Sequence, residues 1–215
     1  RDKSAEAIQR RLDFEGTIAR LSSRFVGLYD MNEAINASLA DVMMFSKASR
    51  VYLFLIDESG IKMRGINEWR APQSSQNIPH LNELARDTTS WWMNELMHGE
   101  FINAIDVSKM PAEAVAEKGI LERVGINSVL VYPVLIKAKL IGFMGFESIN
   151  IRHDWKEDDF DLLRMSSEIV SNAIERYLAT DSLAELVEEL RSLNLQLEVK
   201  VEERTSQLAE ALDTA

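Results

Sequence analysis

The sequence predicts an α+β fold in which two helices precede the first strand and one long helix ends the chain. Two observations carry this prediction. Helix-like and strand-like patterns follow one another as helix, helix, hairpin, short helices, strand, hairpin and helix. In addition, residues 157–215 contain neither glycine nor proline, so nothing in this stretch is expected to end a helix.

Composition narrows the functional class. The chain is 46% hydrophobic, enough for a buried core, and it has no cysteine, which removes disulfides, thiolate zinc sites, thiol nucleophiles and thioether attachment of a tetrapyrrole. A net charge of -11 argues against a nucleic-acid surface. No apolar run approaches the roughly 20 residues that span a bilayer, and the charged start does not resemble a signal peptide. We therefore expect a cytoplasmic location and no membrane contact.

Two amphipathic helices are predicted before the first strand. The first covers residues 5–28, where apolar side chains recur at intervals of four and three. These are Phe14, Ile18, Leu21, Phe25 and Leu28. Asp30 and Glu33 form a capping-box pattern that predicts the start of the second helix. Its apolar face consists of Ile35, Leu39, Val42 and Met43.

A hairpin and a short helix follow. Residues 50–57 are aromatic and β-branched, and a turn at 58–60 leads into a second strand at 61–69. The first of these strands is apolar on both faces, so we expect it to be covered on both sides. Residues 71–79 are predicted as a surface loop, and residues 89–97 as a helix ended by His98 and Gly99.

The second half of the predicted sheet contains the strongest strand pair. A strand at 101–107 and a helix from Pro111 to Gly125 precede it. Strands at 127–136 and 140–149 are joined by a tight turn at 137–139. Gly142 and Gly145 lie inside the second of them, where a missing side chain usually lets another group come close.

The last helix is predicted to open at Asp154 and Glu157 and to continue either as one rod or with a break near residues 180–182. Beyond that point leucines repeat at intervals of three and four, as in a left-handed coiled coil, and a stutter follows near residue 201. The predicted dimer interface is Leu183, Leu186, Leu190, Leu193, Leu197, Val201 and Leu208. The alternative is an amphipathic helix folded back on its own domain.

Three segments resemble GAF domains: residues 48–57 (ASRVYLFLID), 141–147 (IGFMGFE) and 155–163 (WKEDDFDLL). Three shorter segments are similar to the GAF subfamily found beside PAS domains in sensor histidine kinases. They are residues 68–69 (EW), 90–93 (SWWM) and 116–122 (AEKGILE). The resemblance implies an antiparallel sheet of five or six strands, with terminal helices on one face and a ligand cavity on the other.

The flanking segments extend the resemblance. Residues 1–13 look like the helical exit of an upstream PAS domain, and residues 179–215 like a coiled-coil signalling linker before a PAS or kinase domain. The GAF sensory domain itself is expected at residues 14–178. The residues of cyclic-nucleotide-binding GAF domains cannot be assembled here in order, so the resemblance does not favour a cyclic nucleotide.

Aromatic residues are the candidates for a ligand site, because pockets for small molecules are mostly apolar. The predicted ligand-binding residues are Tyr52, Phe54, Trp69, Trp91, Trp92, Met97 and Tyr132. Packing of the core is the alternative role for each of them. Haem is the other cofactor considered, with His80, His98 or His153 as axial ligand, although a helix end and polar connections also explain these histidines.

No catalytic or metal-binding motif is present in the sequence. We therefore expect a regulatory fragment, not an enzyme, that forms a homodimer through its terminal helices. The expected function is that of a sensory module in a histidine kinase, responding to a small molecule or a neighbouring domain. The alternatives are a structural dimerisation module without ligand and a haem-based gas or redox sensor.

Overall fold

The computed structural model describes residues 2–26, 30–56, 63–70, 91–149 and 151–213. Its helices are α1 (Asp2–Arg24), α2 (Met31–Ser46), α3 (Trp91–Met97), α4 (Val115–Arg123) and α5 (Glu157–Asp213). Its strands are β1 (Arg50–Ile56), β2 (Met63–Arg70), β3 (Ile102–Ala104), β4 (Ile126–Ile136) and β5 (Lys139–Ile149). Two 3-10 turns, Val107–Lys109 and Ala112–Ala114, lie between β3 and α4.

All five described strands form one antiparallel sheet in the order β2-β1-β5-β4-β3. This confirms the predicted α+β class and the antiparallel sheet. The strands do not follow their sequence order in the sheet. The hairpin of β1 and β2 joins the hairpin of β4 and β5 through β1 and β5, which lie far apart in the sequence. Strand β1 is therefore paired on both edges.

The sheet has two differently covered faces. On the outer face, Arg50, Tyr52 and Phe54 of β1 lie opposite Glu147, Gly145 and Phe143 of β5. This face is covered by α3, α4 and the first 3-10 turn, whose buried side chains pack against Tyr52 and Phe54. On the opposite, helix face, α2 packs against β1 and β2. The hydroxyl of Ser171 in α5 donates to the carbonyl of Leu135 at the end of β4.

Strand β1 is buried on both faces, as its composition predicts. Val51 and Leu53 point to the helix face and Tyr52 and Phe54 to the outer face, and none of the four is measurably exposed. A strand with apolar residues at every position is stable only when both faces are covered. The cover on two sides is thus a direct consequence of the sequence of β1.

The first helix begins three residues earlier and ends four residues earlier than the predicted range of 5–28, and the second begins directly after Asp30, as predicted. Phe14, Leu21 and Phe25 of the first apolar stripe are buried. The side chain of Asp30 accepts hydrogen bonds from the backbone N–H groups of Asn32 and Glu33, at 2.8 and 3.1 Å, and so caps α2. Leu28 lies outside the described residues, as do the turn at 58–60, the loop at 71–79 and the first two residues of the predicted helix at 89–97.

Two local predictions were wrong, and a third was right only in part. Strand β3 ends at Ala104 and not at residue 107, because Asp106 accepts from the backbone N–H of Ser108, at 3.1 Å, and starts a 3-10 turn. Pro111 is extended and precedes a second 3-10 turn, so that α4 begins only at Val115. Helix α5 begins at Glu157, as predicted. The role of Asp154 differs: the backbone N–H of Lys156 donates to Asp159 Oδ2 at 2.8 Å, while Asp154 binds the Lys156 ammonium.

The turn between β4 and β5 has two residues and contains no glycine. Lys137 and Ala138 both adopt left-handed conformations, with φ of 51° and 63°. Two consecutive residues of positive φ are the mark of a type I′ turn, whose twist matches that of an antiparallel pair. The hairpin therefore keeps the tight turn that the sequence predicts.

Contacts divide the chain into two units, residues 1–173 and 174–215. The first contains the sheet and the helices around it. In the second, every described side chain from Arg176 to Ala209 is exposed, including the whole predicted dimer seam. Helix α5 has no break near residues 180–182. The domain boundaries predicted at residues 13 and 178 stay predictions.

None of the described helices is both long enough and apolar enough to cross a membrane.

Gly145 provides a test of the packing on the outer face. A Cβ atom at this position would lie 2.3 Å from the Tyr52 hydroxyl oxygen and 2.4 Å from its Cζ. We expect Gly145→Ala to lower the free energy of unfolding in urea by about 1–3 kcal/mol, the usual cost of overpacking a core.

The control is Gly119→Ala in α4, where an added Cβ meets no atom within 4 Å. This substitution should raise the free energy of unfolding by about 0.5–1 kcal/mol through helix propensity alone. Equal stability of the two variants would contradict the close seating of Tyr52 on Gly145.

Candidate functional site

The candidate site is the outer face of the β1–β5 pair, where polar groups are buried among aromatic rings. Arg50 and Glu147 lie directly opposite each other at one end of this face. Their side chains are joined by an ion pair of 2.8 Å between Nη1 and Oε2, and they are 1% and 0% exposed. Burying two charges costs several kcal/mol of hydration per ion, which a good contact only partly offsets. The pair therefore gives the outer face two desolvated charges, which apolar side chains of similar size would avoid.

Tyr52 occupies the middle of the face. Its ring lies against Gly145 and meets Phe143 edge-on, with ring centroids 6.2 Å apart. The hydroxyl is fully buried and has no hydrogen-bond partner in the part of the chain that the structure describes. Burial raises the pKa of this hydroxyl well above 10.0; the Glu147 carboxylate adds to the increase and Arg50 opposes it. The hydroxyl is therefore a neutral donor at physiological pH.

Trp92 closes the face from α3. Its backbone N–H donates to Oε1 of Glu117, at 3.0 Å, and this carboxylate of α4 is 1% exposed. Its ring meets Phe143 edge-on at 6.4 Å, and Phe54 stacks on the same phenylalanine at 4.7 Å. The indole Nε1 is buried and, among the described residues, has no acceptor.

Together these residues form an apolar enclosure with two unused donors, Tyr52 Oη and Trp92 Nε1. Among the described residues, unpartnered buried polar atoms also occur away from this face, at Ser38 Oγ, Ser166 Oγ and Trp155 Nε1, so the two donors add hydrogen-bonding capacity to the face without by themselves marking a ligand. Among the residues that the structure describes, no group of three or more histidine and carboxylate side chains could hold a metal ion.

Four of the seven predicted ligand-binding residues come together on or beside this face. Tyr52, Phe54 and Trp92 are fully buried within one cluster, and Trp91 is partly buried against it. Their role in binding stays a prediction, because the same contacts also build the core.

The other three predicted residues lie elsewhere. Trp69 pairs with Val51, which places it on the helix face, and it is 46% exposed. Tyr132 is also on the helix face, where it stacks on Phe101 at 5.0 Å. It lines a groove of about 450 Å³ with residues of α5. Met97 is 47% exposed at the end of α3. The structure does not bring these side chains to the outer face.

Sequence reasoning missed the charged members of the site, Arg50, Glu117 and Glu147. A signal for two of them was available: Arg50 shares the alternation of Tyr52 and Phe54, and Glu147 that of Phe143 and Gly145. One charge in each of two apolar strands predicts a cross-strand pair. No comparable signal exists for Glu117, because a glutamate in a short amphipathic helix is usually exposed.

The histidines considered for haem have other roles where the structure describes them. His98 is exposed, and its Nδ1 lies 2.8 Å from the carbonyl oxygen of Asn94 at the end of α3. His153 packs on Trp155 with ring centroids 4.1 Å apart, and burial lowers its pKa. His80 lies outside the described residues. No cofactor is established by these positions.

The buried ion pair is open to a double-mutant cycle. Arg50→Met or Glu147→Met alone strands a buried charge, so we expect each to lower the free energy of unfolding in urea by about 3–5 kcal/mol. The double variant should lose clearly less than the sum of the two, because the second substitution removes the charge stranded by the first.

The matched control is the exposed pair of Arg11 and Glu15, whose Nε and Oε1 atoms are 3.0 Å apart. Its coupling energy should stay below about 0.5 kcal/mol, as for other surface pairs in helices. A coupling between Arg50 and Glu147 as small as this would contradict their role as a desolvated pair.

Comparison with known proteins identifies the fold. The model of the GAF domain family matches residues 30–174. No curated protein sequence matches the chain significantly. Among solved structures, the chain is similar to the phycoerythrobilin-bound GAF domain of a cyanobacterial phytochrome, with 16% identity and a TM-score of 0.65 over 80% of this chain and 99% of that one.

Two further similar structures come from other bacteria. One is a domain assigned to a two-component sensor histidine kinase of Sinorhizobium meliloti 1021, with 16% identity, a TM-score of 0.54 and coverage of 73% and 99%. The other is the GAF domain of a phosphoenolpyruvate-protein phosphotransferase of Coxiella burnetii, with 12% identity, a TM-score of 0.58 and coverage of 80% and 98%. At these identities the similarity concerns the fold. With the family match over residues 30–174, it leads to the conclusion that the chain belongs to the GAF family of regulatory sensor domains.

Proposed function

We propose that the chain is the sensory GAF module of a multidomain sensor histidine kinase. In this proposal a small molecule binds on the outer face of the sheet, and α5 transmits its presence through a dimeric coiled coil. The observation that carries the proposal is the continuity of α5, which is one helix from Glu157 to Asp213. Leu162, Leu163 and Val170 near its start are buried. Later in the same helix, the leucine seam is exposed.

The exposed seam supports a dimer as the working form. Its seven residues are between 52% and 65% exposed, and they repeat at the intervals of a coiled coil. A row of leucines in water is unfavourable by roughly 25 cal/mol for each Å² of apolar surface. A second copy of the same helix is the partner whose apolar repeat matches this seam, which makes a homodimer our proposal.

The contacts around β4 and β5 offer a route from the outer face to α5. Phe146 neighbours Gly145 on β5 but points to the helix face, where it packs on Trp155 at 5.7 Å. Ser171 of α5 bonds to the backbone of Leu135 on β4. A ligand that moves β5 therefore changes the surface on which α5 begins. Such a ligand shifts the equilibrium only as far as its affinities for the two packings differ.

The N-terminal helix α1 also contacts the start of α5, so a signal from upstream could act on α5 there. Arg10 of α1 forms ion pairs with Asp158 at 2.6 Å and with Asp159 at 3.1 Å, both in the first turn of α5. Its guanidinium also lies 4.8 Å from the centroid of the Phe45 ring in α2. An upstream PAS domain, which the sequence resemblance of residues 1–13 suggests, would act on α5 through this contact.

The ligand in this proposal is held without a covalent bond to cysteine. The cyanobacterial relative binds phycoerythrobilin. A thioether link to such a pigment requires a cysteine, and this chain has none. A pigment of this kind would therefore have to be held here without a thioether link.

A structural dimerisation module without ligand is the second candidate, and one observation favours it. The outer face is well filled, since Phe143 is in ring contact with Phe54, Tyr52 and Trp92 at once. A face filled in this way needs rearrangement before it admits a large molecule. The two candidates differ in whether the purified protein binds a small ligand at all.

The transmission step is tested in the full-length protein by changing the phase of α5. Insertion of two residues after Ser192 rotates the downstream helix by about 200° relative to the upstream part, because each residue turns an α-helix by about 100°. We expect this insertion to abolish regulation of the output activity, measured as kinase autophosphorylation with and without stimulus.

The control is an insertion of seven residues at the same position. One heptad lengthens the rod and restores the phase of the seam, so regulation should survive. Unchanged regulation after the two-residue insertion would refute transmission through the register of α5.

A further inference from the structure

We propose that residues 151–156, which lead from β5 into α5, act as a strap that couples the start of α5 to the elements covering the outer face. This inference rests on the proposed function, since it names a route, separate from β5 itself, by which the outer face acts on α5. It is drawn from Ser128 of β4 and from residues 105–108, which we call the link segment.

Ser128 fastens the strap to the link segment. It is 0% exposed, and its hydroxyl donates to the carbonyl of Ile105 at 2.6 Å and accepts from the backbone N–H of His153 at 2.7 Å. Ile105 follows the last residue of β3, so its carbonyl lies beyond the strand ladder. A serine hydroxyl has one hydrogen to donate, and here that hydrogen joins the link segment to β4 while the oxygen holds the strap.

An ion pair joins the same two segments at the surface. Arg152 Nη2 lies 3.1 Å from Oδ2 of Asp106, whose other carboxylate oxygen accepts from the backbone N–H of Ser108 and starts the first 3-10 turn. The Asp106 side chain is 13% exposed and that of Arg152 is 66% exposed. Exposed ion pairs contribute little, so this contact is secondary to Ser128.

The link segment also belongs to the cover of the outer face. Val107 is 1% exposed and packs in the core cluster of that face. The Lys118 ammonium of α4 donates to the carbonyl oxygen of Ser108. Four consecutive residues are therefore held from two sides, by the outer-face cluster and by the strap. A displacement of α4 or of the first 3-10 turn acts directly on the strap.

The strap passes into the first turn of α5. The ring of His153 packs on that of Trp155, with centroids 4.1 Å apart, and Trp155 is 4% exposed. The carbonyl of Lys156 accepts from the backbone N–H groups of Asp159 and Phe160, at 2.8 and 3.2 Å. The hydrogen bonds of this turn therefore report whether the strap is held in place.

The test is a double-mutant cycle, because only non-additive effects demonstrate coupling between separated residues. Lys118→Met removes the bond from α4 to the link segment, and amide hydrogen exchange at Asp159 and Phe160 is followed by NMR in the complete ¹⁵N-labelled chain. We expect exchange there to become about threefold faster, the size of one weak net hydrogen bond. With Ser128→Ala already present, Lys118→Met should leave these exchange rates unchanged, because the strap is then detached.

Two surface variants repeat the test without altering the core. Arg152→Met removes the contact to Asp106 and should reduce the effect of Lys118→Met to below about twofold. Lys156→Met is the matched control, because its side chain is similarly exposed, at 63%, and its partner Asp154 lies within the strap itself. In that background the threefold effect should persist. If Ser128→Ala does not fold, these two variants decide the question.

Two results would overturn the inference. One is an unchanged exchange rate at Asp159 and Phe160 after Lys118→Met alone, which would mean that the strap does not respond to α4. The other is the same acceleration by Lys118→Met with and without Ser128→Ala or Arg152→Met, which would mean that α5 responds by another route. Either result leaves the proposed function standing, because the phase insertion in α5 tests that function through the kinase output.

Discussion

The pairing of β1 with β5 is the constraint on which both faces of the domain depend. This register sets Arg50 against Glu147, Tyr52 against Gly145 and Phe54 against Phe143. A shift of β1 by one residue would exchange its two faces, bringing Val51 and Leu53 to the outer face and moving Arg50 to the helix face, away from Glu147. The large ring of Tyr52 has room only where β5 has a glycine. Fold and candidate site are therefore specified by the same contacts.

The outer face combines features that lower stability with features that prepare it for binding. A buried ion pair and two unpaired donors are unfavourable for the unliganded protein, since apolar groups of similar volume would often be as stable. Their presence within an otherwise tightly packed aromatic cluster indicates a role other than packing. The helix face has no comparable concentration of buried charge within the described residues, apart from Asp159, whose partners are the backbone of Lys156 and Arg10. The two faces therefore differ in buried charge, which is concentrated on the outer face in the part of the chain that the structure describes.

Much of the fold could be predicted because the spacing of apolar residues along the chain indicates which face of a helix or strand is buried. The apolar stripe of α1, the cap of α2, the apolar strand β1 and the uninterrupted α5 are all properties of local sequence. The end of β3 and the cap of α5 were predicted less well. Asp106 stabilises a 3-10 turn that competes with the strand, and Asp159, not Asp154, accepts from the backbone N–H just before α5. Such competition depends on which of several nearby carboxylates reaches a backbone N–H, and spacing alone does not decide it.

The candidate site could be predicted only in part, for a related reason. Aromatic composition selected Tyr52, Phe54, Trp91 and Trp92, but it equally selected Trp69 and Tyr132, which the strand register places on the other face. Face assignment needs the pairing of β1 with β5, strands that lie far apart in the sequence. The same pairing is what turns Arg50 and Glu147 from two isolated charges into one buried pair.

Native mass spectrometry of the chain purified from cells tests the central claim most directly, because it reports assembly and bound molecules in one spectrum. The account predicts a dimer that carries a small molecule, released when the protein is denatured. A bare monomer would contradict both the coiled coil and the ligand site. A dimer that never carries a molecule would contradict the site and leave dimerisation as the function of this domain.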